Sequence, residues 1–100
     1  MAHELVWSPT AQFDLWDILS YISEFDADAA TRLAQGVFDS IGRLVDYPES
    51  GRIVPEFRDP AIREIINRPC RIVYRLNRNE ALIEIVRVWH SARGIPDICG

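Results

Sequence analysis

The segment that decides the fold class spans residues 70–90 and reads CRIVYRLNRNEALIEIVRVWH. Two β-rich runs, Cys70–Asn77 and 81–90, flank the polar tetrapeptide 77–80, which suits a hairpin turn. Alternation in the first run places two sets of side chains on opposite faces, namely Cys70, Ile72, Tyr74 and Leu76 against Arg71, Val73 and Arg75. The pattern predicts an antiparallel hairpin in which one face of the first strand is buried.

The second run is apolar on both faces. Strict alternation assigns its residues to two sides, with Leu82, Val86 and Val88 on one and Ile83, Ile85 and Trp89 on the other. Arg87 should point the same way as Trp89, as a stacked structural cap or as a recognition patch. We therefore expect a central strand that is covered on both faces, with the C-terminal tail or a partner protein covering the face that helices leave open.

The N-terminal half predicts a strand at residues 5–7 and then two helices. Ser8 and Pro9 supply an N-cap and a first helical position. A core stripe follows at helical spacing, with Ala11, Leu15, Ile18, Leu19 and Ile22 on it and Asp14, Asp17 and Glu24 pointing away. Phe13 and Trp16 fall outside this stripe, so they form a second apolar patch.

A second helix is expected after an N-cap at Asp26 or Asp28. Its apolar face comprises Ala30, Leu33, Ala34, Val37, Ile41, Leu44 and Val45. Prolines and a glycine make residues 47–62 a loop or a short irregular strand, and residues 63–67 a further strand. The expected fold is α+β, in the order β-α-α-β-β-β, with a helical hairpin packed on a small antiparallel sheet in a single domain over residues 1–100.

Composition and charge restrict the partners. The chain has 11 Arg and no Lys, and its two halves differ: 2 Arg with 9 acids give −7 for residues 1–50, and 9 Arg with 6 acids give +3 for residues 51–100. The arginine guanidinium groups suit carboxylates and phosphates as binding partners.

Neither a signal peptide nor a membrane span is expected, so a cytoplasmic protein is predicted. Cys70 and Cys99 are interpreted as free thiols, with no metal and no cofactor.

Several short motifs occur in a characteristic order. They are Ser8-Pro9-x-Ala11-x-x-Asp14-Leu15, Pro48-x-x-Gly51-Arg52, Arg63-Glu64-Ile65, Arg71-Ile72-Val73-Tyr74-Arg75 and Val88-Trp89-His90-x-x-Arg93. This series resembles the RelE/ParE superfamily of toxins from bacterial type II toxin–antitoxin systems. The resemblance implies a ParD-like or RelB-like antitoxin that neutralises the chain in a hetero-oligomer. It implies one of two targets, DNA gyrase for ParE-like members or messenger RNA in the ribosome for RelE-like members.

An mRNA interferase needs a base, a phosphate-binding cation and an acid. Glu56, Arg71 and His90 match those positions of YoeB-like interferases, although Ser91 replaces the aromatic residue that follows the histidine there. The lysine pair of RelE is absent. Each residue also has a structural interpretation. Glu56 can pair with Arg52 or Arg58, Arg71 can belong to the solvated face of its strand, and His90 can be a hydrogen-bonding residue at a strand end.

The remaining candidate residues are expected to contact the target or the antitoxin. They are Arg52, Arg71, Tyr74, Arg75, Arg87, Trp89 and Arg93, together with Phe13 and Trp16 as a groove for an antitoxin helix. Three functions stay open: a ParE-like gyrase inhibitor without enzymatic activity, concerned with plasmid or chromosome stabilisation, which we favour; a ribosome-dependent interferase; and a decayed toxin that only binds its antitoxin.

Overall fold

Two helices pack on one face of a five-stranded sheet. The structure, a computed structural model, describes residues 3–91. Along the chain the elements are β1 (Glu4–Trp7), α1 (Pro9–Ser23), α2 (Ala27–Leu44), β2 (Arg52–Ile53), β3 (Ile62–Asn67), β4 (Cys70–Asn77) and β5 (Leu82–His90). The predicted α+β class and both helices are confirmed, and the predicted loop at 47–62 contains the two-residue strand β2.

The strands lie in the order β1-β5-β4-β3-β2. β3, β4 and β5 form the predicted antiparallel meander. β1, however, pairs in parallel with β5, so that Leu5 lies beside Ile83. The expectation of a small antiparallel sheet is wrong for β1. β2 runs opposite to β1, and the three antiparallel steps from β2 to β5 bring β5 into the direction of β1. The result is a mixed sheet with β5 as an interior strand.

The helix starts follow their capping residues. Ser8 Oγ accepts a hydrogen bond from Ala11 N at 3.0 Å and donates to Val86 O at 3.0 Å, so one side chain caps α1 and ties it to β5. Asp26, rather than Asp28, is the N-cap of α2, accepting from Ala29 N at 3.1 Å. Within residues 3–91, neither helix has the length and apolar character that crossing a membrane requires.

The main core lies between the helices and one face of the sheet. Its fully or nearly fully buried members include Ala11, Leu15, Leu33, Val37, Ile41, Leu44, Cys70, Ile72, Tyr74, Leu76, Ile83, Ile85 and Val88. The opposite face has a smaller cluster of Val54, Ile62 and Val73, against which Phe57 packs. Loop residues thus supply cover that we had expected from the C-terminal tail or a partner; the tail lies outside the described residues.

A β-bulge interrupts the alternation of β5. Val73 pairs with Arg87, whereas the next residue, Tyr74, pairs with Ile85, so Val86 is an extra residue in β5. The bulge brings Val88 onto the helix-facing side with Ile85, which contradicts the prediction that these two residues face opposite ways. Arg87 and Trp89 do share the other face, as expected. Strict alternation failed here because a bulge shifts the register by one residue.

Candidate functional site

Four charged side chains form a continuous network on the sheet face opposite the helices. Glu64 lies on β3, between Arg52 on β2 and Val73 on β4. Its side chain is fully buried, whereas that of Arg71 on β4 is 11% exposed and that of Arg52 is 59% exposed. Glu56 joins from the loop between β2 and β3. The strand register therefore brings together charges that lie up to 19 positions apart in the sequence.

Glu64 is held by both arginines. Its Oε2 accepts from Arg52 Nε at 2.7 Å and from Arg71 Nη2 at 3.1 Å, and its Oε1 accepts from Arg71 Nε at 2.6 Å. A buried carboxylate requires such pairing, since an uncompensated charge in the interior is costly. Sequence reasoning had noted Glu64 only as part of a motif. Its position between Arg63 and two apolar residues of a strand gave no signal that it was buried and paired.

Arg71 also binds Glu56. Nη2 donates to Glu56 Oε1 at 3.1 Å and Nη1 donates to Oε2 at 3.3 Å. The predicted pairing of Glu56 with Arg52 or Arg58 is therefore wrong, because the loop folds its carboxylate over β4. Hydrogen bonding to Arg71 holds the pKa of Glu56 below its ordinary value. The hydrogen bonds that Arg71 donates to Glu64, and then those to Glu56, raise the pKa of Arg71 further above its already high value.

The network leaves Arg71 little capacity for a phosphate. A guanidinium has five N–H donors, and four of its hydrogen bonds here go to the two carboxylates. The formal charges of two arginines and two glutamates also cancel. A phosphate at Arg71 would have to displace Glu56 or compete with it.

The predicted catalytic set is only partly brought together. Glu56 and Arg71 are in contact, but the register places His90 opposite Cys70, and it places Arg71 opposite Trp89. Directly paired residues project from the same face of a sheet. His90 thus belongs to the face that Cys70 occupies, and Arg71 to the other. Burial raises the pKa of the Cys70 thiol to about 11, so this cysteine is a poor nucleophile.

Tyr74 is a core residue rather than a contact residue. It is fully buried; its hydroxyl donates to Pro48 O at 2.7 Å and accepts from Gly51 N at 3.0 Å. Burial raises its pKa. The expectation that Tyr74 contacts a target or an antitoxin does not fit this burial, since the ring has no exposed surface. Its role is to fasten the loop that precedes β2 to the sheet.

Arg87 and Trp89 form a structural cap. Arg87 Nε donates to Asp14 Oδ2 at 2.7 Å and Nη2 donates to Oδ1 at 2.9 Å, while Val88 N donates to the same carboxylate at 3.1 Å. The Arg87 guanidinium lies 4.7 Å from the Trp89 ring centroid. Asp14 does point away from the hydrophobic stripe of α1, but it contacts β5 instead of solvent. Trp89 is 6% exposed, so the cap is favoured over a recognition patch.

The family model described as "ParE toxin of type II toxin-antitoxin system, parDE" matches residues 5–95. This chain belongs to the ParE toxin family. It is 33% identical over 90 residues to Toxin RelE2 of Caulobacter vibrioides, an alignment covering 90% of this chain and 97% of that protein.

Solved structures share the fold of this ParE-family toxin. A chain of the chromosomal ParDE TA system from P. aeruginosa superposes with a TM-score of 0.70 at 22% identity, covering 89% of this chain and 96% of that one. The toxin–antitoxin complex RelBE2 of Mycobacterium tuberculosis gives a TM-score of 0.59 at 18% identity, with coverages of 90% and 99%. At these identities the likeness concerns the fold alone.

Arg75 and Arg93 were also expected to contact a partner of this ParE-family toxin. Arg75 pairs with Glu84 at 3.0 Å, with both side chains substantially exposed. Arg93 lies outside the described residues.

A groove beside the charged network was not anticipated from the sequence, and it is lined by Arg52, Ile66, Arg68, Pro69, Arg71 and Ser91. Arg68 is exposed there, so the groove has a cationic rim despite the balanced network.

The helical hairpin carries an apolar groove. Phe13 and Trp16 are 73% and 66% exposed, as their position outside the core stripe predicted. The groove is lined by Trp7, Gln12, Leu15, Trp16, Leu19 and Phe38, and Phe13 borders the neighbouring hollow with Trp16. Phe38, 54% exposed, contacts Trp7 at a centroid distance of 5.9 Å. The sequence analysis did not single out Phe38. Its position directly after the buried Val37 places it outside the apolar face of α2, and this could have indicated that it is exposed.

Proposed function

We propose that this toxin acts by binding DNA gyrase and inhibiting it, without cleaving RNA. The observation that carries the proposal is the separation of the interferase candidates. His90 lies on the sheet face opposite to that of Glu56 and Arg71, and Arg71 is already engaged by two carboxylates. General acid–base cleavage requires its groups around one scissile phosphate. Membership in the ParE toxin family supports the same target class.

The partner that silences the toxin is, in this proposal, a cognate ParD-like antitoxin. A segment with an amphipathic helix fits the apolar groove, because such grooves take the apolar face of a helix. Phe13, Trp16 and Phe38 are each more than half exposed, and neighbouring exposed apolar side chains mark interaction sites. The structures similar in fold come from the toxin–antitoxin systems of P. aeruginosa and Mycobacterium tuberculosis. We therefore place the antitoxin helix along α1 and Phe38.

A gyrase supercoiling assay with the full-length toxin tests the target. The expected result is that wild type and His90→Ala inhibit supercoiling to the same extent, because His90 has no catalytic part. Adding the purified antitoxin should restore supercoiling. Wild-type toxin that leaves gyrase unaffected at concentrations well above that of the enzyme would remove the proposed target.

A ribosome-dependent interferase is the second candidate, favoured by one observation. Glu56 and Arg71 are in direct contact beside the groove that Arg52 and Arg68 border, so a base and cations are present on one face. An in vitro translation assay discriminates between the two. Codon-positioned cuts that disappear in Glu56→Gln and His90→Ala would establish the interferase. Activity in neither assay, with antitoxin binding retained, would indicate a toxin that only binds its antitoxin.

A further inference from the structure

The turn between the two helices carries two exposed aromatic rings. We name residues 21–28 the hairpin tip; it joins the last turn of α1 to the first turn of α2. Tyr21 and Phe25 are 65% and 74% exposed, and their rings meet edge to face with centroids 5.3 Å apart. An aromatic pair that is already ordered loses little side-chain entropy when it binds a partner. Such rings are also frequent among the residues that dominate binding energy.

The chain segment that contains the hairpin tip is acidic, although Arg32 and Arg68 line a hollow beside Ile22. Residues 17–28 contain four acids and no arginine, which gives a net charge of −4. Asp26 and Asp28 have a structural explanation, since they lie at the N-terminus of α2 where carboxylates stabilise a helix. Glu24 has none: it caps the C-terminus of α1, the negative end of that helix dipole, and the last turn of α1 has no basic residue. The charge of Glu24 is therefore unfavourable for the stability of α1.

Charge and aromatic rings favour the same kind of ligand. Ammonium and guanidinium groups are attracted both by carboxylates and by the faces of aromatic rings. Within residues 3–91, Asp17, Glu24 and Asp28 make no ion pair with the chain's own arginines. From this combination we infer that the hairpin tip is a docking surface for a Lys- and Arg-bearing protein segment.

The occupant is a surface of the toxin's target rather than the antitoxin. Trp16 and Tyr21 are separated by about 140° around α1, from the 100° rotation per residue of a helix. A helix lying in the apolar groove therefore leaves the rings of the tip uncovered. This assignment rests on the proposed function, in which the target is gyrase, and it adds the surface through which that target is engaged.

The test compares two full-length variants with matched changes. The tip variant combines Glu24→Gln with Phe25→Ser. The control combines Asp39→Asn with Tyr47→Ser, which also removes one exposed acid and one aromatic that is 67% exposed. Each is assayed for inhibition of gyrase, for binding to the gyrase holoenzyme at low and physiological salt, and for binding to the antitoxin. Thermal unfolding of both variants checks that the fold is retained.

We expect the tip variant to require at least about tenfold more toxin for half-inhibition, as is typical when a dominant contact is removed. Its binding to gyrase should also depend less on salt, because screening acts on the removed charge. The control variant should inhibit and bind gyrase as wild type does.

Equal inhibition by the tip variant and wild type would overturn the inference while leaving gyrase as the target. Loss of antitoxin binding with gyrase inhibition intact would assign the tip to the antitoxin and overturn it as well. A wild-type toxin without effect on gyrase would overturn the proposed function and this inference together.

Discussion

Glu64 and Arg71 form a two-point ion pair across β3 and β4, with Nε–Oε1 at 2.6 Å and Nη2–Oε2 at 3.1 Å. The glutamate side chain is fully buried, so the pair lies under the exposed arginine of β2 rather than at the surface. Removing one member of a buried pair leaves the other uncompensated. We therefore expect Glu64 to contribute more to stability than an exposed carboxylate such as Glu84.

Glu64→Gln should lower the free energy of unfolding by about 3 kcal/mol, the low end of the range for a broken buried pair because Glu56 continues to neutralise Arg71. Urea denaturation at neutral pH measures the loss. The matched control is Glu84→Gln, whose pair with Arg75 is exposed and should cost less than about 1 kcal/mol. Similar losses in the two variants would contradict the structural role given to Glu64.

Gly51→Ala should also destabilise the fold. A Cβ at this position would lie 2.5 Å from the Tyr74 hydroxyl and 2.7 Å from the Glu64 carbonyl oxygen, and backbone cannot move aside cheaply. We expect a loss of about 2 kcal/mol in the free energy of unfolding. Gly42→Ala is the control, because nothing lies within 4 Å of its added methyl group. On a helix it should stabilise by about 0.5 kcal/mol. The two substitutions should thus change the free energy of unfolding in opposite directions. A Gly51→Ala variant as stable as wild type would contradict the close packing at Gly51.

The Glu56–Arg71 contact should make stability depend on pH. Hydrogen bonding to Arg71 lowers the pKa of Glu56 in the folded state. A carboxyl that is more acidic when folded contributes stability above its unfolded pKa and loses it as the pH falls through its folded pKa. Wild type should thus be more stable than Glu56→Gln at neutral pH, and the difference should vanish in strong acid. NMR titration of the carboxyl at or above the ordinary 4.5 would contradict this.

Phe13→Ser combined with Trp16→Ser should weaken the antitoxin complex without unfolding the toxin. Both rings are mostly exposed, so their loss removes contacts to a partner rather than core packing. We expect affinity to fall about 100-fold, within the range for paired aromatic contacts, as measured by calorimetry. Tyr47→Ser, which removes another exposed ring, should leave affinity unchanged. Undiminished affinity in the double variant would rule out the groove as the antitoxin site.

The sequence by itself determined the elements and the exposed aromatic rings. Ser8 and Pro9 start α1, the periodicity of α2 selects its buried face, and alternation in β4 separates Tyr74 from Arg71. These features are local, since each depends on the geometry of a single helix or strand. Phe13 and Trp16 were placed outside the core for the same reason, and the structure leaves them exposed.

Only the tertiary structure decided which distant residues meet. The bulge at Val86 changed the facing of Val88, the register put His90 opposite Cys70 and away from Arg71, and the loop brought Glu56 to Arg71. Strand register and loop path arise from the packing of the whole sheet, and a shift of one residue exchanges its two faces. The elements of this toxin are thus encoded locally, whereas its charged network exists only once the sheet has assembled.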